Sequence, residues 1–370
     1  MAAFDVIILG AGAAGLMCAL TAGARGRRVL ILDQLSAAGA KILISGGGRC
    51  NFTNLAIAPE RFLSTNPHFC KSALSRYTQH DFIAMVQRHH IAYHEKTLGQ
   101  LFCDGSARQI VAMLLAECAA ERVDLRVAHR ILDVSRAEHF RVTTDRGTFT
   151  APALVIATGG PSIPQMGATG YAYELARRFG LGLVAPQPGL VPLKLGGAAL
   201  ELSRSLAGVS AEAIVAYGRD RFREQILFTH RGLSGPAILQ ISSYWRTGPI
   251  TIDLLPEVEA LAFLKERKRT RPRAELKTVL AELLPARLAQ ALAGAEGATM
   301  IANQPDRTLT AIAARLKEWS VEPVGSEGWD KAEVTAGGID TAALSSRTME
   351  ARAVPGLYVI GEAVDVTGAR

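Results

Sequence analysis

No apolar run in the sequence reaches the ~18 residues that a membrane-spanning helix needs, so no span is expected. Cysteine is scarce: Cys18, Cys50, Cys70, Cys103 and Cys118 are odd in number and never spaced C-x-x-C. This pattern argues against a disulfide scaffold, a zinc site and a dithiol relay of the thioredoxin-reductase type. It points instead to reduced thiols in a cytoplasmic setting. Aromatic residues are only 6% of a chain that is 49% hydrophobic, which suits an α/β protein with an aliphatic core. There is no internal repeat and no low-complexity tract. Neither sign of charge dominates: 41 Lys and Arg face 34 Asp and Glu, and the net +7 permits an anionic partner without requiring one. The first residues are strand formers, not a charged segment followed by an apolar stretch, so a secretory signal is not expected. At 370 residues the chain has room for two or three domains.

What is present is concentrated in residues 4–33. Phe4-Asp-Val-Ile-Ile-Leu9 is an apolar strand-type run. Gly10-Ala-Gly12-Ala13-Ala14-Gly15 follows without a gap, then a helix-compatible segment to residue 24, then a second strand run over 28–32 that ends in Asp33 and Gln34. Strand, glycine turn, helix, strand and acid in that order predict a dinucleotide site. Gly10 permits the tight turn, Gly12 lets a pyrophosphate approach the backbone, and Gly15 lets the helix lie close to the sheet. The helix N-terminus faces the phosphates. Asp33 falls where a carboxylate accepts a ribose hydroxyl, and its charge disfavours a 2′-phosphate there.

Residues 39–54 are unusual. Gly46, Gly47 and Gly48 are followed by Arg49, Cys50 and Asn51, with Lys41 upstream. Three glycines cost backbone entropy and make sense where the main chain presses against something flat or charged. A flexible loop is the alternative. A basic loop would also lower the Cys50 thiol pKa, although a small buried packing residue is the simpler role.

The stretch Lys41-Ile-Leu-Ile-Ser-Gly-Gly-Gly-Arg-Cys-Asn-Phe-Thr-Asn54 resembles the signature of the HI0933-like flavoproteins. Thr158-Gly159-Gly160 after a strand, Thr229-His-Arg-Gly-Leu-Ser-Gly-Pro-Ala237, Val334-Thr-Ala-Gly-Gly-Ile339 and Pro355-Gly-Leu-Tyr-Val-Ile-Gly-Glu362 extend the resemblance over almost the whole chain. It implies an α/β fold: a Rossmann-like FAD-binding domain, with a parallel sheet and a small antiparallel meander, interrupted by an inserted domain. The expected boundaries are 1–189, an insertion over 190–330 (β-rich over 190–255, helical over 256–317) and a return over 331–370. FAD rather than NAD follows from the resemblance alone, because the bare fingerprint does not choose between them. The resemblance also implies that Gly361 and Glu362 reach the ribityl chain, and that the main chain at 158–160 runs close to the nucleotide. Similar flavoproteins continue past the last strand with a further helix, so the ten residues after Ile360 read as a truncated end.

Elsewhere, periodicity predicts helices over 71–90, 106–121 and 171–180. Short runs over 125–127, 131–134, 140–144 and 153–157 predict the meander, with a turn at Arg146-Gly147. Prolines 272, 285 and 305 should break the helical half of the insertion. His89, His90 and His94 have no partner at ligand spacing, so a surface cluster is favoured over a metal site.

The chemistry would be the flavin's. Thr229, His230, Arg231 and Ser234 are candidates above its face, with His230 able to move a proton near neutral pH. Ser234 is equally readable as a helix N-cap. A second dinucleotide fingerprint is missing, so NAD(P)H would act only as a transient reductant. The expected function is an FAD-dependent oxidoreductase of an unidentified small molecule. The alternatives are a flavin-dependent RNA uridine reductase of the dihydrouridine-synthase type and a non-catalytic flavin-binding protein. Residues 265–273 hold six cations in nine and read either as a solvated helix end or as an RNA-facing edge.

Overall fold

In the computed structural model, which describes residues 4–368, the apolar runs near the N-terminus become adjacent parallel strands. β1 (Val6–Leu9) leads through α1 (Ala13–Gly23) to β2 (Val29–Leu32). The five-stranded sheet runs Leu357–Val359, Ala153–Ile156, β1, β2, Asp124–Arg126, every neighbouring pair parallel. Because side chains alternate across a strand, Ile7, Leu9, Leu30, Leu32, Leu154 and Ile156 enter the core on one face. Val6, Ile8, Val29, Ile31 and Val155 enter the core on the other. Burial on both faces is why these strands read as unbroken aliphatic runs.

β1 has β2 on one side and the much later strand Ala153–Ile156 on the other, with all carboxyl ends at one edge. That edge is the switch point where ligands of open α/β sheets bind.

Two expectations for this unit need correction. Residues 124–126 are not the first strand of the meander. After the helix Arg108–Ala120 they complete a crossover and pair in parallel with β2. The meander is therefore Ile131–Arg136, Phe140–Thr144 and Gly147–Ala151. Residues 71–90 are two helices, Lys71–Arg76 and Gln79–Arg88. Thr78 and Asp81 form a reciprocal capping box there, which starts a new helix instead of continuing the old one.

The chain divides into two compact units. One takes in the residues up to Gln187 and from Val334 onward; the other is Pro188–Glu333. The second unit is a seven-stranded sheet with its own aliphatic core. The β half is larger than expected, because Trp319–Val321 and Gly325–Ser326 return to the sheet after the helices. Trp319 stacks on Phe228 at 5.9 Å between ring centroids. The helical half is broken at the expected prolines: the helix Ala260–Thr270 ends just before Pro272, and Pro285 and Pro305 stand immediately before the helices Ala286–Ala293 and Asp306–Lys317. No helix among the described residues is long and apolar enough to cross a membrane.

Candidate functional site

A cavity of about 610 Å3 opens at the carboxyl edge of the parallel sheet, lined wholly by the first unit. Its floor is the glycine turn, in which each glycine meets a different constraint. Gly10 has φ +104°, and a Cβ there would lie 2.6 Å from the Ala157 carbonyl oxygen. A Cβ on Gly15 would lie 1.9 Å from the Gly10 carbonyl oxygen, so this residue sets the closeness of α1 to β1. Gly12 is different: nothing lies within 4 Å of its Cβ position, and the space it faces is the cavity. It is also the N-cap of α1 and offers no side-chain cap. The amides of the first helical turn, Ala13 and Ala14 among them, lack intrahelical partners and carry the positive end of the helix dipole.

Asp33 ends β2 and lines the cavity. Its Oδ2 accepts from the Ala11 amide at 2.6 Å and its Oδ1 from the Leu35 amide at 2.8 Å. The carboxylate thus holds the glycine turn in shape, and an ionised carboxylate still has acceptor sites to spare for a hydroxyl. Gln34 Nε2 donates to the Gly167 carbonyl at 3.1 Å, which ties the end of β2 to the 166–169 segment of the wall.

The opposite wall is a compact polar network. Glu362 Oε1 accepts from Ser162 Oγ (2.6 Å) and from the Thr335 amide (2.8 Å). Its Oε2 accepts from Lys41 Nζ at 3.0 Å. Lys41 also donates to Ser162 Oγ (2.7 Å) and to the Gly160 carbonyl (3.4 Å). Glu362, Lys41, Thr158, Gly159 and Gly361 all face the cavity. Gly361 has φ +71° and packs so close to α1 that a Cβ would sit 2.7 Å from Ala14 Cβ.

The Thr158 hydroxyl and the Tyr171 hydroxyl are buried on this lining with no hydrogen-bond partner. Burial pushes the Tyr171 phenol up to about 12. Orphaned hydroxyls, uncapped helix amides, an open glycine and an acid at the end of β2 fit a dinucleotide, whose phosphates and hydroxyls would supply the missing partners.

Several other expected residues lie outside this lining. Residues 46–48 are not a simple loop. The helix α2 (Ala40–Gly48) loses helical geometry at Ser45, and Gly46 and Gly47 turn left-handed at φ 57° and 67°. A Cβ on Gly46 would strike the Asn51 amide and the Phe102 ring at 2.7 Å, so that glycine answers to protein packing. Gly47 faces open space, a Cβ on Gly48 would only touch the Leu43 carbonyl oxygen at 3.9 Å, and Arg49 is exposed. Cys50 is buried, and burial pushes its thiol up, overturning the idea that the basic loop activates it. The Asn51 side-chain oxygen is buried and unpartnered.

His230 and Ser234 belong to the second unit. Thr229 Oγ1 accepts from the Arg231 and Gly232 amides, so residues 229–232 form a tight turn with His230 exposed at its tip. Arg231 pairs with Glu327. Ser234 is not the N-cap: it lies in the strand Gly232–Ser234, and Gly235 caps Pro236–Ser242. His89 bonds Glu117 and His94 bonds Asp104, each at 2.6 Å, in separate pairs. No group of three or more metal-binding side chains occurs among the described residues.

Sequence reasoning gave no site role to Ser162, Thr335 and Tyr171, or to the wall segments 130–131 and 166–169. The available signals were the Gly- and Pro-rich stretch that follows Gly160 and, for Thr335, the Val334–Ile339 motif.

The HI0933-like protein Rossmann domain matches residues 4–370. The chain is 51% identical to the ribosomal RNA dihydrouridine synthase of Escherichia coli K12, covering 100% of this chain and 93% of that protein. It is 43% identical to the ribosomal RNA dihydrouridine synthase of Haemophilus influenzae, covering 98% and 92%. Against the 3-dehydro-bile acid delta(4,6)-reductase of Clostridium scindens the identity is 29%, covering 98% and 93%. The chain belongs to the HI0933-like family of Rossmann-fold flavoprotein oxidoreductases.

Proposed function

We propose that this protein is an FAD-dependent reductase that converts uridine in ribosomal RNA to dihydrouridine. The observation that carries this reading is 51% identity, over an alignment that covers both units, to a relative of that name. It reverses the order of the sequence-based expectation, in which a small-molecule substrate came first. The small-molecule reading keeps one support, the 29% identity to a bile acid reductase.

When bound, FAD would supply the hydride chemistry. The chain's own residues hold and orient it. Gly12 and the first turn of α1 accept the pyrophosphate, Asp33 the adenosine ribose, and Glu362, fixed by Lys41 and Ser162, the ribityl side. The open backbone at Gly47 and Gly48, with Arg49, is assigned to the region beyond the ribityl chain. NAD(P)H is assigned as a transient reductant, and RNA as the partner of the second unit. His230 and Ser234 stay as candidate groups near the substrate. Five unpaired cysteines accord with a reducing, cytoplasmic setting.

The test is anaerobic reduction of the loaded protein followed by addition of ribosomal RNA that lacks the modification. Reoxidation of the flavin, with dihydrouridine found after nuclease digestion and mass spectrometry, is the expected result. Reoxidation by an unsaturated steroid and not by RNA would replace this reading with the small-molecule one. Reoxidation by neither would leave a flavin-binding protein without turnover on these substrates.

A further inference from the structure

The cationic run of the second unit divides into two sets. Residues 265–273 occupy the end of the helix Ala260–Thr270 and the turn after it. Three of the six cations are committed to partners within the unit, although Arg271 is itself exposed. Arg267 and Arg271 both bind Glu282, and Lys268 bridges Asp306 and the Gln304 carbonyl. The other three, Lys265, Arg269 and Arg273, are exposed and make no ion pair among the described residues.

Their spacing matters. Lys265 and Arg269 are four residues apart, so they share one face of the helix, about 6 Å apart along its axis. Like charges at this spacing oppose helix formation. Arg273 continues the series just past the helix end. Ala260 and Leu264 point the other way, into the core. The helix is therefore anchored by its apolar face and its paired cations, and it presents a ridge of unpaired cations to solvent.

The concentration of charge is local. This run has six cations and one acid, whereas the remainder of residues 188–333 has 13 cations against 16 acids. A ridge of unpaired cations on an otherwise slightly acidic unit is complementary to a polyanion.

We propose that Lys265, Arg269 and Arg273 form the ridge on which the phosphate backbone of the RNA substrate docks. This rests on the reading of the protein as an RNA reductase. It narrows that reading to three side chains and removes Arg267, Lys268 and Arg271 from the contact. The ridge supplies affinity and orientation rather than base recognition, because phosphate contacts carry no sequence information.

The test titrates the full-length protein with a labelled ribosomal RNA fragment across a series of KCl concentrations. Three proteins are compared: wild type, Lys265→Gln/Arg269→Gln/Arg273→Gln, and a charge-matched control, Arg25→Gln/Arg27→Gln/Arg219→Gln, whose sites are also exposed. Loss of three phosphate contacts should flatten the slope of log K against log salt by about 2 in the ridge variant. FAD content should not change, and the control should keep most of the wild-type slope. An unchanged slope in the ridge variant overturns the proposal. Equal flattening in the control also overturns it, because binding would then be diffuse. RNA-driven flavin reoxidation is scored separately. A wild type that binds through the ridge without reoxidation would sink the reductase reading and leave the ridge standing. Reoxidation with an unchanged slope would do the reverse.

Discussion

Lys41 and Glu362 lie 321 positions apart in sequence and meet at 3.0 Å on the wall of the dinucleotide cavity. Ser162 bonds to both, and the Thr335 amide completes the set. Three separate segments of the first unit thus fix the carboxylate carried by a fourth. The pair is only partly shielded, with about 34% and 24% of the two side chains exposed, so its worth is moderate. Lys41→Met should destabilise the protein by about 1–2 kcal/mol, mostly through the carboxylate left without its cation. It should also weaken FAD binding by about tenfold, equivalent to 1.4 kcal/mol, while Lys41→Arg should recover part of the loss. FAD titration of the stripped protein and denaturant unfolding give both numbers. An unchanged FAD affinity in Lys41→Met would remove Glu362 from the cofactor wall.

The three glycines of the turn should fail in different ways. Gly12→Val places its side chain in open cavity space at φ −80°, which any residue tolerates. The apoprotein should keep its stability to within about 1 kcal/mol, the cost of a poorer N-cap, yet should not bind FAD. Gly15→Ala puts a methyl 1.9 Å from a backbone oxygen and should destabilise the apoprotein itself, by about 1–3 kcal/mol or more. Unfolding curves of the two stripped proteins separate a binding glycine from a packing glycine. Stoichiometric FAD in Gly12→Val would show that the pyrophosphate lies elsewhere.

Those glycines also mark how far the sequence could be read. β1, α1 and β2 were legible because strand, turn and helix are each specified by neighbouring residues. The pairing of β1 with Ala153–Ile156 was not, since no local pattern encodes contact between strands so far apart. Cys50 shows the same limit. Its sequence neighbour Arg49 is basic, but Cys50 packs in a cluster of apolar residues brought in by the fold. Residues 46–48 read as a loop because glycine suggests one, whereas Gly46 is needed for its left-handed turn against Phe102. Ser162 carries no motif, and Thr335 lies in the Val334–Ile339 motif without any sign of its part; only their place beside Glu362 gives them a role.

Burial of the thiols has a consequence for pH. Desolvation raises Cys18, Cys103 and Cys118 to about 11 from an ordinary value of 9.0. The folded state then holds protons that the unfolded state has released, so their contribution to stability is full below about 9 and is lost as pH rises towards 11. Anaerobic denaturant unfolding should show stability falling across that interval. A variant with alanine at all three positions should show a shallower fall. Parallel curves for the two proteins would mean that other groups govern alkaline unfolding. Cys50, raised in the same direction, should react slowly with alkylating reagents at neutral pH, and Cys50→Ala should retain bound FAD.

Asp33 offers the last test, because its carboxylate has a structural duty as well as a ligand-facing one. Both oxygens accept backbone amides, Ala11 within the glycine turn and Leu35 after β2. Asp33→Ala should therefore cost about 1–3 kcal/mol in all, because two part-buried amides lose their acceptor, before any nucleotide is added. Asp33→Asn keeps the shape but replaces one accepting oxygen with a donor, which would confront one of the two N–H groups. The apoprotein of either variant should unfold at lower denaturant than wild type, and FAD affinity should fall in both. The contrast with Gly12→Val is the useful part, since there the cofactor is lost from an undisturbed scaffold. If stripped Asp33→Ala unfolds like wild type and only its FAD affinity falls, the carboxylate serves the ribose alone and the amide contacts are incidental.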